Sequence, residues 1–236
     1  MELIIIITLV LLYFLMQSVE LASFGSRVAG RMSVNLALGT TVHHTMYVGS
    51  RFFLVPFLPL LAYTVESGIG LSDYFFIVMI SLSSALVMSI LVLNKINFLQ
   101  LFFQRVFREN ITSYLPNALI KALIKSNKKE TNLRLCENFE FKKISIKKVI
   151  FSFIAYSFLV TSFFIAFSLA ILFPHYQLTL SQSTSVFHGF GSVILAFYLD
   201  PMLSRSIDRL DDESGWVVNA YSILLGRVLS YLVSAA

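Results

Sequence analysis

The fold is decided by long apolar stretches, of which residues 149–173 are the plainest and carry no charge: VIFSFIAYSFLVTSFFIAFSLAILF. About 20 such residues cross the hydrocarbon core of a bilayer as one helix. Similar stretches occupy residues 3–23, 71–94, 183–200 and 215–235. The chain of 236 residues is 57% hydrophobic and 13% charged, against about a quarter charged in soluble domains. The sequence therefore predicts a single membrane domain over residues 1–236.

Residues 33–65 are also mostly apolar, but as one helix they would be about 50 Å long, more than an upright crossing needs. They form either one helix bent near Pro56 and Pro59 or two short segments. Most of the 18 basic residues lie between Lys95 and Lys148, which predicts a cytoplasmic loop over residues 95–148. One crossing places further arginines on the same side: Arg27, Arg31, Arg205 and Arg209. One bent crossing is therefore favoured.

These assignments predict an all-α, polytopic bundle of about six transmembrane helices with both termini outside. The first stretch is followed, not preceded, by arginines, so it is expected to remain as an anchor rather than to act as a signal peptide. Within the loop, residues 98–109 and the segment after Pro116 have the pattern of amphipathic helices. We expect both helices to lie on the anionic lipids of the inner leaflet.

Arg51 and Arg227 lie inside predicted spans, where an arginine costs about 2.5–3.5 kcal/mol on insertion scales. Each therefore requires a partner, a polar cavity or a function. On four spans, polar residues recur at steps of three and four and so share one helical face. These faces hold Tyr13, Gln17, Glu20, Phe24 and Arg27; Ser33, Ala37, Thr40, His44, Tyr47 and Arg51; Ser181, Ser185, His188 and Ser192; and Ile223, Arg227, Ser230 and Ser234.

Two interiors fit four facing polar stripes. In a closed bundle, small residues pack tightly and Glu20 neutralises an arginine. In a hydrated cavity, excess positive charge binds an anion, since the arginine fork matches phosphate oxygens. The cavity is favoured because Arg27, Arg51 and Arg227 outnumber Glu20, the one acid assigned to the membrane interior.

The sequence holds no phosphate-binding loop ending in Gly-Lys-Ser/Thr, no His-Glu-x-x-His helix and no Gly-x-Ser-x-Gly elbow. It gives no reason to expect a cofactor. Metal binding by His43, His44 and His188, or by the acidic run 208–213, is disfavoured. The net charge of +5 is read as membrane orientation rather than as nucleic-acid binding. A transporter, an integral membrane enzyme acting on a lipid-linked substrate and a structural subunit of a membrane complex all remain open at this point.

Two blocks of the sequence resemble a known family. The first runs from Ser26-Arg27-Val-Ala-Gly30-Arg31 to Ser50-Arg51. The second runs from Gln182-Ser183-Thr184 through Gly189-Phe-Gly191 and Asp200-Pro201-x-x-Ser204 to Leu225-Gly226-Arg227-Val228. Both are similar to the alternate-to-MurJ family of lipid II flippases, which are six-helix bacterial membrane proteins.

The resemblance implies a flippase of the bacterial cytoplasmic membrane that moves a polyprenyl diphosphate-linked saccharide, such as lipid II or a related cell-envelope precursor. On this hypothesis Arg51 and Arg227 hold the diphosphate, and Arg27 attracts it at the cytoplasmic mouth. Further substrate-binding residues would be Thr40, His44, Tyr47, Ser192 and Ser230.

The resemblance also requires movement and a driving force. Hinges are expected at Pro56, Pro59, Gly189 and Gly191. Drive would come from the membrane potential, from proton movement through Glu20 or His44, or from consumption of the product outside. The oligomeric state has no sequence signal.

Overall fold

The computed structural model describes residues 2–33, 35–110, 113–124, 144–208 and 213–235, and the regular structure within these ranges is helical throughout. Among the described residues, six spans are long and apolar enough to cross a membrane, which confirms the predicted number. The helices are α1 (Glu2–Met32), α2 (Leu36–Ser50), α3 (Leu54–Glu66), α4 (Leu71–Asn94), α5 (Ile96–Asn110), α6 (Leu115–Ile124), α7 (Ile146–Leu172), α8 (Gln177–Gln182), α9 (Thr184–Ile194), α10 (Asp200–Asp208) and α11 (Glu213–Ala235). Helices α2 and α3 together form the second span, and α8 to α10 belong to the fifth.

The second span is one crossing whose α-helix is interrupted by a 3₁₀ turn at Arg51–Phe53. Proline explains the position of the turn. Pro56 has no N–H to donate to the carbonyl of Phe52, and the ring of Pro59 crowds the carbonyl of Val55. The irregularity therefore begins about one turn before Pro56 and places Arg51 at the junction of α2 and α3.

The fifth span contains a π-turn at Leu195–Leu199, in which the backbone N–H of Asp200 donates to the carbonyl of Leu195. Pro201 follows directly and has no N–H for an ordinary bond to Phe197, so the wider turn suits the sequence here. Single π-turns within α-helices are frequent at functional sites. The polar spacing of this span gave no signal for the turn.

Helices α5 and α6, which belong to the described part of the basic loop, are docked against the bundle. Helices α5 and α6 confirm the predicted amphipathic pattern, and their apolar faces pack against α1 and α2. The buried members of this contact are Ala29, Val42, Phe103, Val106, Phe107, Ala118 and Ala122. Gln100, which the pattern placed on the polar face, is instead fully buried. Residues 125–143, which include Cys136 and several lysines, lie outside the described ranges.

This docking defines two ends of the bundle. We call the end that carries α5, α6 and Arg31 the inner end, and the end that carries Glu66 and His175 the outer end. The placement of the basic loop beside Arg27 and Arg31 agrees with a single crossing by the second span. The names follow the predicted orientation, with the basic end facing the cytoplasm.

Helices α1 and α2 touch backbone to backbone. A Cβ atom added at Gly30 would lie 2.8 Å from the Cα of Gly39, and the reverse distance is also 2.8 Å. The hydroxyl of Ser26 donates to the carbonyl of Gly39 at 3.0 Å. Small residues permit such contacts between membrane helices, where apolar burial gives little drive for association. This contact holds α2 close to the face of α1 that carries Arg27.

The first prediction concerns this contact. Gly39→Ala forces the backbones of α1 and α2 apart and is expected to lower the midpoint of thermal unfolding in detergent. Gly49→Ala is the matched control because it lies on the same helix with nothing within 4 Å of its added Cβ. That control is expected to match or exceed the wild-type midpoint, since alanine favours a helix over glycine. Equal midpoints for the two variants would contradict the packing described.

Candidate functional site

The carboxylate of Glu20 is shared by two arginines from other helices. Its Oε1 lies 3.3 Å from Nη2 of Arg51, and its Oε2 lies 3.0 Å from Nη2 of Arg227. The hydroxyl of Ser50 also donates to Oε1, at 3.3 Å. Glu20 and Arg227 are both buried. With Glu20 ionised, one carboxylate faces two guanidinium groups, so the cluster carries one net positive charge.

Arg227 is enclosed by polar and aromatic groups. Its Nη2 donates to Oε1 of Gln17 at 3.0 Å and to the hydroxyl of Tyr231 at 3.1 Å. The guanidinium lies over the ring of Tyr156, 4.7 Å from the ring centre, and near the ring of Tyr231. Cation–π contacts of this kind gain strength when water is excluded. Helices α1, α7 and α11 therefore all contribute to holding Arg227 inside the bundle.

Arg51 is held from one side only. The same Nη2 that meets Glu20 also donates to the hydroxyl of Tyr47, and the guanidinium lies 4.6 Å from the centre of that ring. The side chain keeps 24% of its surface exposed, whereas that of Arg227 keeps 7%. Arg51 is thus a half-buried cation whose contacts with Glu20 and Tyr47 both involve Nη2.

Asp200 changes the charge balance expected from the sequence. Its Oδ1 accepts a bond from Nη1 of Arg27 at 2.7 Å, so α10 neutralises an arginine of α1. Treating Glu20 as the one acid of the interior left two excess positive charges. Three arginines against two carboxylates leave one. The Nε atom of Arg27 is buried and makes no hydrogen bond to any residue that the structure describes.

A cavity of about 240 Å³, the inner cavity, lies beside these groups in the inner half of the bundle. Its polar and aromatic walls come from α1, α2, α7, α9, α10 and α11. The lining residues are Glu20, Phe24, Arg27, His43, His44, Tyr47, Tyr156, Ser192, Leu195, Ala196, Leu199, Asp200, Leu203, Ile223 and Arg227. The π-turn of the fifth span therefore forms part of its wall.

A larger cavity of about 830 Å³, the outer cavity, lies towards the outer end. Its lining residues are Arg51, Leu54, Leu58, Pro59, Ala62, Phe163, Phe167, Ser181, Gln182, Thr184, Ser185 and His188. Glu20 lines the inner cavity and Arg51 the outer one, so their ion pair stands between the two.

The structure distributes the residues singled out in the sequence. Those that line the inner cavity are Glu20, Arg27, His44, Tyr47, Ser192 and Arg227. Arg51 and Pro59 line the outer cavity, whereas Thr40 and Ser230 line neither. Ser230 is fully buried, and its hydroxyl donates to the carbonyl of Arg227 at 2.7 Å. The polar stripes thus pack closed in some places and line cavities in others.

The expected hinge glycines have different surroundings. A Cβ at Gly191 would lie 2.7 Å from the carbonyl oxygen of Ala155, which makes Gly191 a contact between α9 and α7. Gly189 has nothing within 4 Å of an added Cβ. Pro56 lies in the first turn of α3.

The histidines are separated. His43 shares a hydrogen bond of 2.9 Å with the hydroxyl of Ser23, and His44 lies beside it on the inner cavity. His188 lines the outer cavity, where it stacks on Phe163. In the part of the chain that the structure describes, no group of three or more His, Cys, Asp or Glu side chains is placed to hold a metal ion. The side chains of the acidic run 208–213 lie outside that part.

Several site residues were missed by sequence reasoning. Tyr231 lies four residues after Arg227, so the helical spacing used for the other residues would have found it. Asp200 was given no site role, although the predicted spans place it at the same end of the bundle as Arg27. Tyr156 has no signal, because it is one aromatic residue among many in α7.

Accessibility distinguishes cavity residues from packed ones. In a Cys136→Ser background, Ser192→Cys is expected to react with a small membrane-impermeant thiol reagent applied from the inner side, since Ser192 lines the inner cavity. Ser230→Cys, which is fully buried, is the matched control and should stay unreactive until the protein is denatured. An unreactive Ser192→Cys in folded protein would mean that the inner cavity is closed to water.

The shared carboxylate predicts an order of stabilities. Glu20→Gln leaves two guanidiniums without a counter-charge and is expected to cost about 3–5 kcal/mol of unfolding free energy, as breaking a buried ion pair does. Arg51→Gln should cost least, because Glu20 keeps Arg227. The double variant Glu20→Gln/Arg227→Gln should be more stable than Glu20→Gln alone. Thermal midpoints in detergent measure this order, and simply additive losses would refute the sharing.

The comparisons with known proteins agree with the membrane architecture. Neither a search of curated proteins nor a search of solved structures found a match. Residues 12–225, which are most of the chain, match the model of a family described as Alternate to MurJ. The family's name points to an alternative to the lipid II flippase MurJ, and thus to a transporter of the bacterial inner membrane rather than to an enzyme. The chain belongs to the Amj (Alternate to MurJ) family.

Proposed function

We propose that this protein flips a polyprenyl diphosphate-linked saccharide, lipid II or a related cell-envelope precursor, across the cytoplasmic membrane. One observation carries the proposal. Glu20 stands between Arg227 and Arg51, and the cluster keeps one net positive charge where a membrane protein would otherwise avoid any. An uncompensated buried guanidinium favours an anionic ligand.

Glu20 acts as a substitute anion in the absence of substrate. Its two oxygens occupy one nitrogen each on Arg51 and Arg227. A diphosphate carries more negative charge and more acceptor oxygens than the Glu20 carboxylate. It therefore replaces the carboxylate, because a guanidinium group can donate two parallel hydrogen bonds to phosphate oxygens. Arg27 lines the inner cavity and attracts the head group there, in competition with Asp200.

The volume of the inner cavity limits how much of the substrate it can hold at one time. Its volume of about 240 Å³ is below the roughly 300–1,000 Å³ of ordinary ligand pockets. It therefore takes the diphosphate before it takes the saccharide, and the saccharide needs the fifth span to move. The π-turn at Leu195–Leu199 and the open position Gly189 provide the places for that movement.

Displacement of Glu20 also provides a route for coupling. Once the substrate holds both arginines, Glu20 is an acidic group without its partners inside the bundle. Glu20, together with His44 on the wall of the same cavity, is therefore the proposed site of proton or charge coupling during transfer.

The alternative is an integral membrane enzyme acting on a lipid-linked substrate, with Asp200 and the acidic run 208–213 as its acidic site. Asp200 is bound to Arg27, which makes it less available as an acid or base, and the side chains of 208–213 lie outside the described part of the chain.

The test is translocation by the full chain in liposomes, using a fluorescent polyprenyl diphosphate-linked saccharide. Arg227→Gln and Arg51→Gln are each expected to lower the rate about ten- to hundredfold, the loss of one charged hydrogen-bonding partner. The Arg227→Lys and Arg51→Lys variants should retain intermediate rates, because lysine keeps the charge but not the fork.

Arg205→Gln is the matched control, since Arg205 is an exposed arginine that lines neither cavity. It should leave the rate within about twofold of wild type. Wild-type rates in both Arg51→Gln and Arg227→Gln, at equal amounts of folded protein, would exclude the diphosphate role.

A further inference from the structure

The outer cavity has the features of a separate lipid-phosphate site. It is more than three times the volume of the inner cavity and falls within the range of ordinary ligand pockets. Its charged residue is Arg51, at one end of an otherwise apolar and hydroxyl-bearing lining. A ligand that fits must carry one anionic group and a substantial apolar part.

The apolar side of the cavity runs away from Arg51 in one direction. Leu54, Leu58 and Ala62 follow Arg51 at steps of three and four, so all four residues share one face of the second span. From Arg51 to Ala62 this face is about 16 Å long. Phe163 and Phe167 on α7 face the same cavity. Together they form a channel for a chain that begins at the guanidinium.

The opposite wall is polar. Helices α8 and α9 contribute Ser181, Gln182, Thr184, Ser185 and His188. His188 meets the hydroxyl of Ser162 through Nδ1 at 3.3 Å. Donors on this wall suit a phosphate or the first polar groups attached to it.

Arg51 can receive a phosphate without dismantling the cluster around Arg227. Both of its contacts, with Glu20 and with Tyr47, use Nη2, so Nη1 and Nε remain for a ligand. Its bond to Glu20 is 3.3 Å and half-buried, whereas the bond from Arg227 to Glu20 is 3.0 Å and buried. When a phosphate competes, Glu20 therefore stays with Arg227, since a buried ion pair is screened less than a half-exposed one.

We infer that the outer cavity is a binding site for a prenyl phosphate, with the phosphate on Arg51 and the first isoprene units along Leu54, Leu58, Ala62 and the two phenylalanines of α7. The inference rests on the proposed function for the choice of a prenyl chain. It adds a second, outward-side site to the inner cavity, with the Glu20–Arg51 pair as the boundary that the phosphate crosses.

Binding to the full chain in phosphatidylcholine nanodiscs tests the site, with radiolabelled farnesyl phosphate as probe and empty nanodiscs as background. Farnesyl phosphate is expected to bind at least about tenfold more tightly than farnesol or inorganic phosphate alone, because each lacks half of the recognised groups. Farnesol binding as tight as farnesyl phosphate would overturn the phosphate role of Arg51.

Variants locate the site. Ala62→Phe narrows the channel away from Arg51 and should weaken binding about tenfold or more. Val55→Phe is the matched control, because Val55 lies on the same helix, is exposed and lines neither cavity. Arg51→Gln should weaken binding similarly, and Arg51→Lys less. If Arg51→Gln fails to fold, Ala62→Phe still decides, and equal binding by Ala62→Phe and Val55→Phe overturns the inference.

Two further results separate the explanations. If adding phosphatidylglycerol to the nanodiscs abolishes farnesyl phosphate binding, the cavity belongs to ordinary anionic lipid and the inference fails. Translocation is measured on the same preparations. Binding at the outer cavity without translocation by the wild type would refute the proposed function alone, whereas translocation without that binding would refute only the outer site.

Discussion

A guanidinium group inside a membrane bundle needs a counter-charge. In this structure one carboxylate, that of Glu20, is the counter-charge of two guanidinium groups, and the rest of the structure depends on this sharing. The carboxylate ties α1 to the junction of α2 and α3 through Arg51 and to α11 through Arg227. The rings of Tyr156 and Tyr231 and the amide of Gln17 supply what the shared carboxylate leaves unsatisfied. Three helices are thereby fixed around one functional group.

The same arrangement divides the interior. On the inner side, Arg27 and Asp200 form a second ion pair at the end that carries the basic loop. On the outer side, Arg51 opens onto an apolar channel four turns from the end of its span. Glu20, Arg27 and Arg227 all line the inner cavity, whereas Arg51 lines the outer one.

The fold and part of this site could be predicted from the sequence. The physical reason why a residue could or could not be predicted differs from one residue to the next. The spacing of Tyr13, Gln17, Glu20, Phe24 and Arg27 on α1 identified a face that is buried throughout, since polar residues in a span must turn away from lipid. The pairing of Arg27 with Asp200 needed the relative placement of α1 and α10, which no spacing within one helix contains. To predict the role of Tyr156, one must know which face of α7 points into the bundle. A helix that is apolar on all sides gives little indication of this in its sequence.

The π-turn before Asp200 amounts to one residue more than an α-helix would need between Ile194 and Pro201. Each residue of an α-helix advances the side-chain direction by about 100°. Compared with a regular helix of the same length, the π-turn therefore changes the direction in which the side chains after it point. Because of this change, Ser192 and Asp200 both line the inner cavity although they lie eight positions apart. Deletion of one residue from 195–199 would restore a regular helix and leave Asp200 on the same side as Ser192, because seven steps of about 100° fall only about 20° short of two full turns. The π-turn thus accommodates the extra residue without rotating α10 away from the cavity.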